Sequence, residues 1–221
     1  MKREIIETSD GSKTIHLPEW NESYHSKHGA VQEALHVFIE SGLNQLQQTE
    51  INILEVGFGT GLNCLLSFEK TLHTNKKIIY TGLDAFPVDD KELSQLGYQS
   101  LREMEQQKQL FDKIHATPWE EMVEIAPHFK LKKIEQKLED FAPEKDSFDL
   151  IYFDAFGPGV QPEMWTIDIF IKLFSSMNKN GIFVTYCAKG QVRRDLIEVG
   201  FQVERIPGPP GKREMLRGRV Y

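Results

Sequence analysis

The chain has 221 residues, with 26 Lys and Arg against 33 Asp and Glu (net charge −7), 40% apolar and 27% charged residues. That composition fits one soluble domain with a modest extension, able to fold without disulfide or metal staples; it excludes disordered and collagen-like classes and a wholesale basic coat for nucleic acid. Cys64 and Cys187 lie far apart with no metal-ligand spacing, no apolar run approaches the ~18 residues of a membrane helix, and the first twenty residues lack a secretory apolar stretch. A cytoplasmic protein with no metal and no membrane contact is expected.

In chain order, Val31, Ala34, Leu35, Phe38 and Ile39 fall on one face of an early helix that Gly42 can stop. Residues 51–56 (INILEV) read as a buried strand, and Leu62, Leu65 and Leu66 as the stripe of the next helix. Residues 78–84 (IIYTGLD) form a second strand ending on an acid. Asp89 and Glu92 have capping-box spacing for a helix carrying Leu93, Leu96, Leu101 and Met104, and Thr117-Pro118-Trp119-Glu120 reads as another helix start. Further strands are expected at 129–134, 149–154 and 182–187, helices at 163–175 and up to Gly200. Two extended runs at 201–205 and 214–221 follow, joined by the loop IPGPPGK. Strands alternating with helices imply a doubly wound, mostly parallel α/β sheet, and the last pair an antiparallel addition at one end. Residues 1–48 form a leading extension and residues 49–221 the domain.

Glu55-Val56-Gly57-Phe58-Gly59-Thr60-Gly61 leaves a strand and enters a helix, where glycines let a ligand approach the backbone. Asp84 closes the next strand, where a carboxylate can accept the hydroxyls of a ribose. The spacing is G-x-G-x-G with Leu62 in the sixth place, not the dinucleotide G-x-G-x-x-G, and Glu55 sits two residues before the first glycine. An acid there suits a cationic ligand better than a pyrophosphate. The pattern favours S-adenosyl-L-methionine, which has a sulfonium and no phosphate, over NAD.

Asp154 closes the strand expected next to this cleft and opens the run DAFGPGVQPEMW. An acid, an aromatic and a Gly/Pro loop there suit an amine or a flat base. Trp165 either anchors the following helix or lines the site. Glu139 and Asp140 are placed to meet an adenine amino group or else form a solvated turn. Cys64 reads as core packing, Cys187 as a strand end facing the cleft without a His partner, and Lys130-Leu131-Lys132-Lys133 as a solvated strand face. From Arg205 to Tyr221, five Lys and Arg face only Glu214, a local +4 that suits phosphate contact.

Taken together, LEVGFGTGLN, DAFGPGVQPEMW, VRRDL followed by GF, GKREMLRG and the opening YHSKHGAVQEALHVF resemble the MnmC-like tRNA (5-methylaminomethyl-2-thiouridine) methyltransferases, over nearly the whole chain. The resemblance implies a class I S-adenosylmethionine-dependent methyltransferase (Rossmann-like) fold with a mostly parallel seven-stranded sheet and a final antiparallel strand. It implies tRNA as partner and N-methylation of 5-aminomethyl-2-thiouridine at the wobble position. Glu55, Gly57, Phe58, Gly59 and Gly61 match the cofactor loop and Asp84 the ribose acid, while Tyr24, Ser26 and Glu33 match a segment that closes over the cofactor. Asp154, Phe156 and Pro158 match the loop beside the target amine, with Asp154 the expected catalytic group. Lys212, Arg213 and Glu214 match the C-terminal K-R-E, with Lys212 and Arg213 on the substrate side. Gln161 departs from the Asn more frequent before Pro in the family. Many relatives continue into an FAD-dependent oxidase domain; this chain is expected to methylate only, taking its amine from a separate oxidase or another enzyme that makes the precursor.

Overall fold

The computed structural model describes residues 2–9, 11–26, 29–96 and 105–221. Alternating polar and apolar residues near the N-terminus build a small antiparallel sheet of β1 (Glu4–Glu7), β2 (Lys13–Leu17) and β3 (Glu22–Ser23), with Ile15 and Leu17 buried. Helix α1 (Ala30–Ala34) runs straight into a π-helical stretch, Leu35–Glu40. The wider turn rotates the apolar face: Val37, Phe38 and Ile39 are all buried, whereas Val31 and Leu35 are only half-buried.

The main sheet has eight strands in the order β10-β11-β9-β8-β4-β5-β7-β6. Its centre is β4 (Glu50–Val56), which pairs in parallel with β5 (Lys77–Asp84) on one side and β8 (Phe148–Phe153) on the other. Strands β7 (Phe129–Glu135) and β9 (Met177–Thr185) extend it in parallel, while β11 (Glu214–Arg219) runs antiparallel to β9 and to β10 (Gln202–Pro207). Successive strand residues point to opposite faces. Ile53, Tyr80, Leu131 and Tyr152 therefore pack under α1 and α2 (Leu62–Leu72), while Leu54, Ile151, Phe153 and Phe183 pack against α5 (Ile167–Ser175) and α6 (Gly190–Val199).

Four expectations are corrected. The sheet has one strand beyond the expected seven, β6 (Met122–Ala126), antiparallel to β7 at the edge. Thr117-Pro118-Trp119-Glu120 starts no helix: it follows α4 (Glu105–Ala116), Trp119 bridges to Lys133, and Glu120 turns with φ +68° into β6, whose Val123 and Ile125 alternate with exposed residues. The expected helix over 163–175 is a 3₁₀ turn, Pro162–Trp165, followed by α5, because the Thr166 side chain accepts from the Ile169 amide and caps a new start. Lys133 is not solvated. The two-residue period places it with Phe129 and Leu131 on the inner face, where it is 2% exposed.

The capping box is formed in both directions: the Glu92 amide donates to Asp89 Oδ1 at 2.8 Å and the Asp89 amide to Glu92 Oε2 at 3.1 Å, opening α3 (Asp90–Leu96). Leu101 and Met104, expected on that helix, lie outside the described residues.

Candidate functional site

Strand β4 lies where the chain direction divides between β5 and β8, and open α/β sheets place their ligand crevice at the carboxyl ends of such strands. A cavity of about 490 Å³ occupies that position. It is lined by the loop after β4, the ends of β5 and β8, and the segment between β3 and α1.

The glycines shape its floor. Gly57 has φ +88°, and a Cβ there would stand 2.6 Å from the Asp154 carbonyl oxygen. Gly59 has φ +50°, and its Cβ would press the Tyr24 ring at 3.1 Å. Asp84 holds the loop from the other side: its Oδ2 accepts from the Gly59 amide at 2.7 Å and its Oδ1 from the Phe86 amide at 2.8 Å. Burial pushes the Asp84 carboxyl up, which these amides oppose.

Asp154 stands opposite. Its Oδ2 accepts from Asn63 Nδ2 at 2.9 Å, and burial, then the nearby Glu33, raises its carboxyl to about 7. The same Asn63 nitrogen donates to Glu55 Oε1 at 2.8 Å, and the Tyr80 hydroxyl donates to Glu55 Oε2 at 2.8 Å. Glu55 is 1% exposed; burial, then Asp154, pushes its carboxyl well up. It lies behind the cavity wall, not in the lining, so it reaches the cavity through Asn63.

Above Asp154 an aromatic wall forms. The Phe156 ring meets Trp20 and Tyr24 edge-on at 5.6 and 5.2 Å, and Trp165 Nε1 donates to the Phe156 carbonyl at 2.8 Å, which makes Trp165 an anchor for this loop. Burial raises the Tyr24 phenol to about 12, so it stays neutral. Arg3 fastens the N-terminal sheet over the site: its guanidinium donates to Glu92 Oε2 and to the Phe86 carbonyl, and lies 5.9 Å over the Tyr24 ring.

Of the residues singled out from sequence, Tyr24, Ser26 and Glu33 line the cavity, as do Gly57, Phe58, Gly59 and Asp84. Glu139, Asp154, Phe156 and Lys212 also line it. Gly61 instead caps α2 with φ +71°, and Asp140, Pro158, Arg213 and Cys187 lie outside the lining. Lys212 is not free for phosphate: its Nζ donates to Glu33 Oε1 at 2.8 Å and lies 3.8 Å over the Tyr186 ring. The expected basic tail is largely neutralised, with Arg205 on Glu214 at 3.6 Å and Arg217 on Glu204 at 2.6 Å. Sequence reasoning missed Asn63, Tyr186, Phe86 and Gln136. Only Asn63 had a signal, as the first polar residue after the last glycine.

The cavity fits S-adenosyl-L-methionine. Six acids line it (Glu22, Glu33, Asp84, Glu139, Asp154 and Glu163) against Lys137 and the paired Lys212, a balance that favours a sulfonium and an ammonium and opposes a pyrophosphate. Its volume lies in the range of about 300–1,000 Å³ usual for small-molecule sites. The buried Asn63 Oδ1 and Thr60 Oγ1 on its wall have no hydrogen-bond partner, leaving acceptors for a ligand. Among the described residues no group of three or more His, Cys, Asp or Glu could hold a metal ion.

Sheet order, glycine loop, the Asp84 carboxylate at the end of β5 and the acid-rich cavity together define a methyltransferase of the Rossmann-like class. The sequence pattern of a family described as S-adenosyl-L-methionine-dependent methyltransferases matches residues 92–220. The chain belongs to that family and uses S-adenosyl-L-methionine as methyl donor.

It is similar to the "tRNA 5-methylaminomethyl-2-thiouridine biosynthesis bifunctional protein MnmC" of Hydrogenovibrio crunogenus, 30% identical over 90% of this chain and 32% of that protein. The protein of the same name from Cupriavidus necator is 32% identical over 90% of this chain and 32% of its own length. The chain thus spans about a third of the length of the curated relatives it matches. The crystal structure of MNMC2 from Aquifex aeolicus superposes with a TM-score of 0.76 at 24% identity, covering 98% of this chain and 70% of that one, a likeness of fold.

Proposed function

We propose that this protein methylates the exocyclic amine of 5-aminomethyl-2-thiouridine at the wobble position of tRNA, giving 5-methylaminomethyl-2-thiouridine. One observation carries the reading. Relatives matching nine-tenths of the chain are named for the biosynthesis of that tRNA nucleoside. The site is consistent with it, since Asp154 lines the cavity together with the rings of Phe156 and Tyr24, Trp20 packing edge-on against Phe156, a setting for a flat base bearing an amine.

The donor supplies an electrophilic methyl when bound. The acceptor must present a lone pair, which an ammonium lacks. Among the described residues no donor occupies Asp154 Oδ1, leaving it to accept an amine N–H and aim the nitrogen. Holding the nucleophile in line supplies much of the catalysis. As the N–C bond forms and the C–S bond breaks, positive charge gathers on nitrogen beside this carboxylate. A carboxyl raised to about 7 then takes the departing proton at Oδ1 more readily than an ordinary aspartate.

In this reading Tyr24, Ser26, Glu33, Gly57, Phe58, Gly59, Asp84 and Glu139 hold the donor, while Asp154, Phe156 and Lys212 shape the amine side. Residues 1–48 pack over the donor as an extension to the methyltransferase domain of residues 49–221. Phosphate contacts fall to cations outside the acidic cavity. Arg213 and Lys189, which stands beside Gly159 on the Phe156 loop, have no acid partner among the described residues. The protein would act in the cytoplasm on an aminomethyl group supplied by a separate FAD-dependent oxidase or another precursor-forming enzyme. Among the described residues no helix is long and apolar enough to cross a membrane.

The test is transfer of labelled methyl from S-adenosyl-L-methionine to total tRNA lacking the modification, followed by nucleoside mass analysis. A gain of one methyl on 5-aminomethyl-2-thiouridine is expected. Donor binding with no label in tRNA would overturn the reading in favour of a small-molecule amine.

A further inference from the structure

Asn63 is 2% exposed and has a primary amide with two N–H bonds, both directed at carboxylates: Glu55 Oε1 at 2.8 Å and Asp154 Oδ2 at 2.9 Å. Turning the amide over would give up both donated bonds and set its oxygen against two carboxyl oxygens, so the pair of acceptors sets its orientation. The acceptor oxygen left over, Oδ1, is buried and has no partner. Glu55 is held from behind by Tyr80, itself completely buried, so this end of the bridge is rigid.

We propose that Asn63 is a positioning residue for methyl transfer: bridging Glu55 at the end of β4 to Asp154 at the end of β8, it fixes the Asp154 side chain with Oδ1 toward the acceptor amine and sets the pH range in which that oxygen accepts a proton. The proposal rests on the methyl-transfer reading above for its kinetic part only.

The charged and titratable groups around Asp154 come from every neighbouring element. Glu33 of α1 raises its pKa and Lys212 of the β10–β11 loop lowers it, Glu55 of β4 shares the bridging nitrogen, and the Tyr186 phenol after β9 lies nearby with its own ionisation pushed well up by burial. Of these neighbours, Asn63 supplies the hydrogen bond to the carboxylate, which favours the ionised form. Removing it moves the carboxyl upward.

The experiment follows the Asp154 side-chain carboxyl by carbon NMR in ligand-free protein labelled at aspartate. The signal is assigned by its loss in Asp154→Asn, and the titration is compared in wild type, Asn63→Ala and Asn63→Leu, the last keeping the side-chain volume. Both variants should still bind S-adenosylhomocysteine, more weakly for the loss of the Asn63 Oδ1 acceptor, and both should titrate higher than wild type by about half a pH unit or more. The acid limb of kcat should move by the same interval, with about a twofold loss or more at pH 7 that shrinks at higher pH. An unmoved carboxyl midpoint in a variant that binds S-adenosylhomocysteine would overturn the proposal. So would a kcat loss equal at every pH, which marks a merely structural role. Failure of wild type to methylate tRNA would instead sink the functional reading and leave the NMR comparison to decide Asn63.

Discussion

Lys212 Nζ and Glu33 Oε1 meet at 2.8 Å across 179 positions of sequence, joining the loop between the last two strands to the helix that follows the N-terminal sheet. The second Glu33 oxygen accepts from the Ser26 amide at 2.7 Å, so one carboxylate ties the entry segment to the C-terminal loop. Glu33 raises the Asp154 carboxyl and Lys212 lowers it. The two halves of one ion pair therefore act on the same acid with opposite sign. Glu33→Gln is expected to move the acid limb of the methyl-transfer pH profile down, and Lys212→Ala to move it up. Steady-state kcat between pH 5.5 and 9, flanking the value of about 7 for Asp154, reads both shifts, and displacement in the same direction would contradict the arrangement.

Asp154→Ala should lower kcat by roughly 10²–10⁴-fold, the usual range for removing a positioned acid–base group. S-adenosylhomocysteine binding should persist, because Gly57, Gly59 and Asp84 are untouched. Calorimetric titration beside single-turnover rates separates these effects. Loss of binding with chemistry intact in the bound fraction would reassign Asp154 to the donor side.

Burying Asp154 also has a stability signature. Its folded-state carboxyl, at about 7, lies above the ordinary value of 3.8, so between those pH values the folded chain holds more protons than the unfolded one. Stability contributed by this group is therefore greatest at the acid end of that interval and falls as pH rises toward 7. Asp154→Asn removes the dependence and is expected to stabilise the protein by about 2 kcal/mol at pH 8, or about 4–8 °C in Tm. The gain should vanish near pH 4. Equal Tm differences at pH 4 and pH 8 would show that the acid is not held protonated by burial.

Gly82 and Phe58 form a second pair that the sequence could not announce. A Cβ on Gly82 would lie 2.2 Å from Phe58 Cδ2, and the Phe58 ring itself packs edge-on to Trp119 at 6.1 Å. Gly82→Ala is expected to cost about 2–3 kcal/mol by overpacking and to displace the glycine loop that carries Phe58. In Phe58→Leu the same alanine should cost less than half as much, measured by a double-mutant cycle of urea unfolding. Additive effects would mean that the ring yields freely.

Gly57→Ala tests the floor directly. The left-handed backbone and the 2.6 Å approach of the Asp154 carbonyl leave no place for a methyl group. A loss of about 2 kcal/mol in stability and of at least tenfold in S-adenosylhomocysteine affinity is expected. Wild-type affinity would mean that the loop adapts.

Local chemistry is what the sequence carried well. The capping box of Asp89 and Glu92, the strand–glycine–helix run through Gly57, Gly59 and Gly61, and acids closing β5 and β8 each depend on neighbours a few residues away. Their side-chain type and spacing therefore fix their geometry. The same holds for the alternation of strands and helices that dictates a parallel sheet. Lys133 shows where this reasoning ends. Its position among lysines suggested solvent, yet strand period sends it inward, where its Nζ donates to the His115 carbonyl at 2.9 Å and lies 5.0 Å over Trp119. Burial and, after it, the Lys133 charge hold His115 down at about 4, neutral beside Thr60 of the glycine loop.

The sequence alone determined the class of fold, the glycine loop after β4 and the two strand-end acids, because turn conformation, capping and period act through short spans of chain. Tertiary structure alone decided which charges remain available. Lys212 and Arg217 read as free cations until the fold set Glu33 and Glu204 against them, and Glu55 read as a ligand contact until burial placed Asn63 between it and the cavity. Charge and hydrogen bonding depend on whatever lies within a few ångströms, and across 179 positions only the packed chain determines that neighbour.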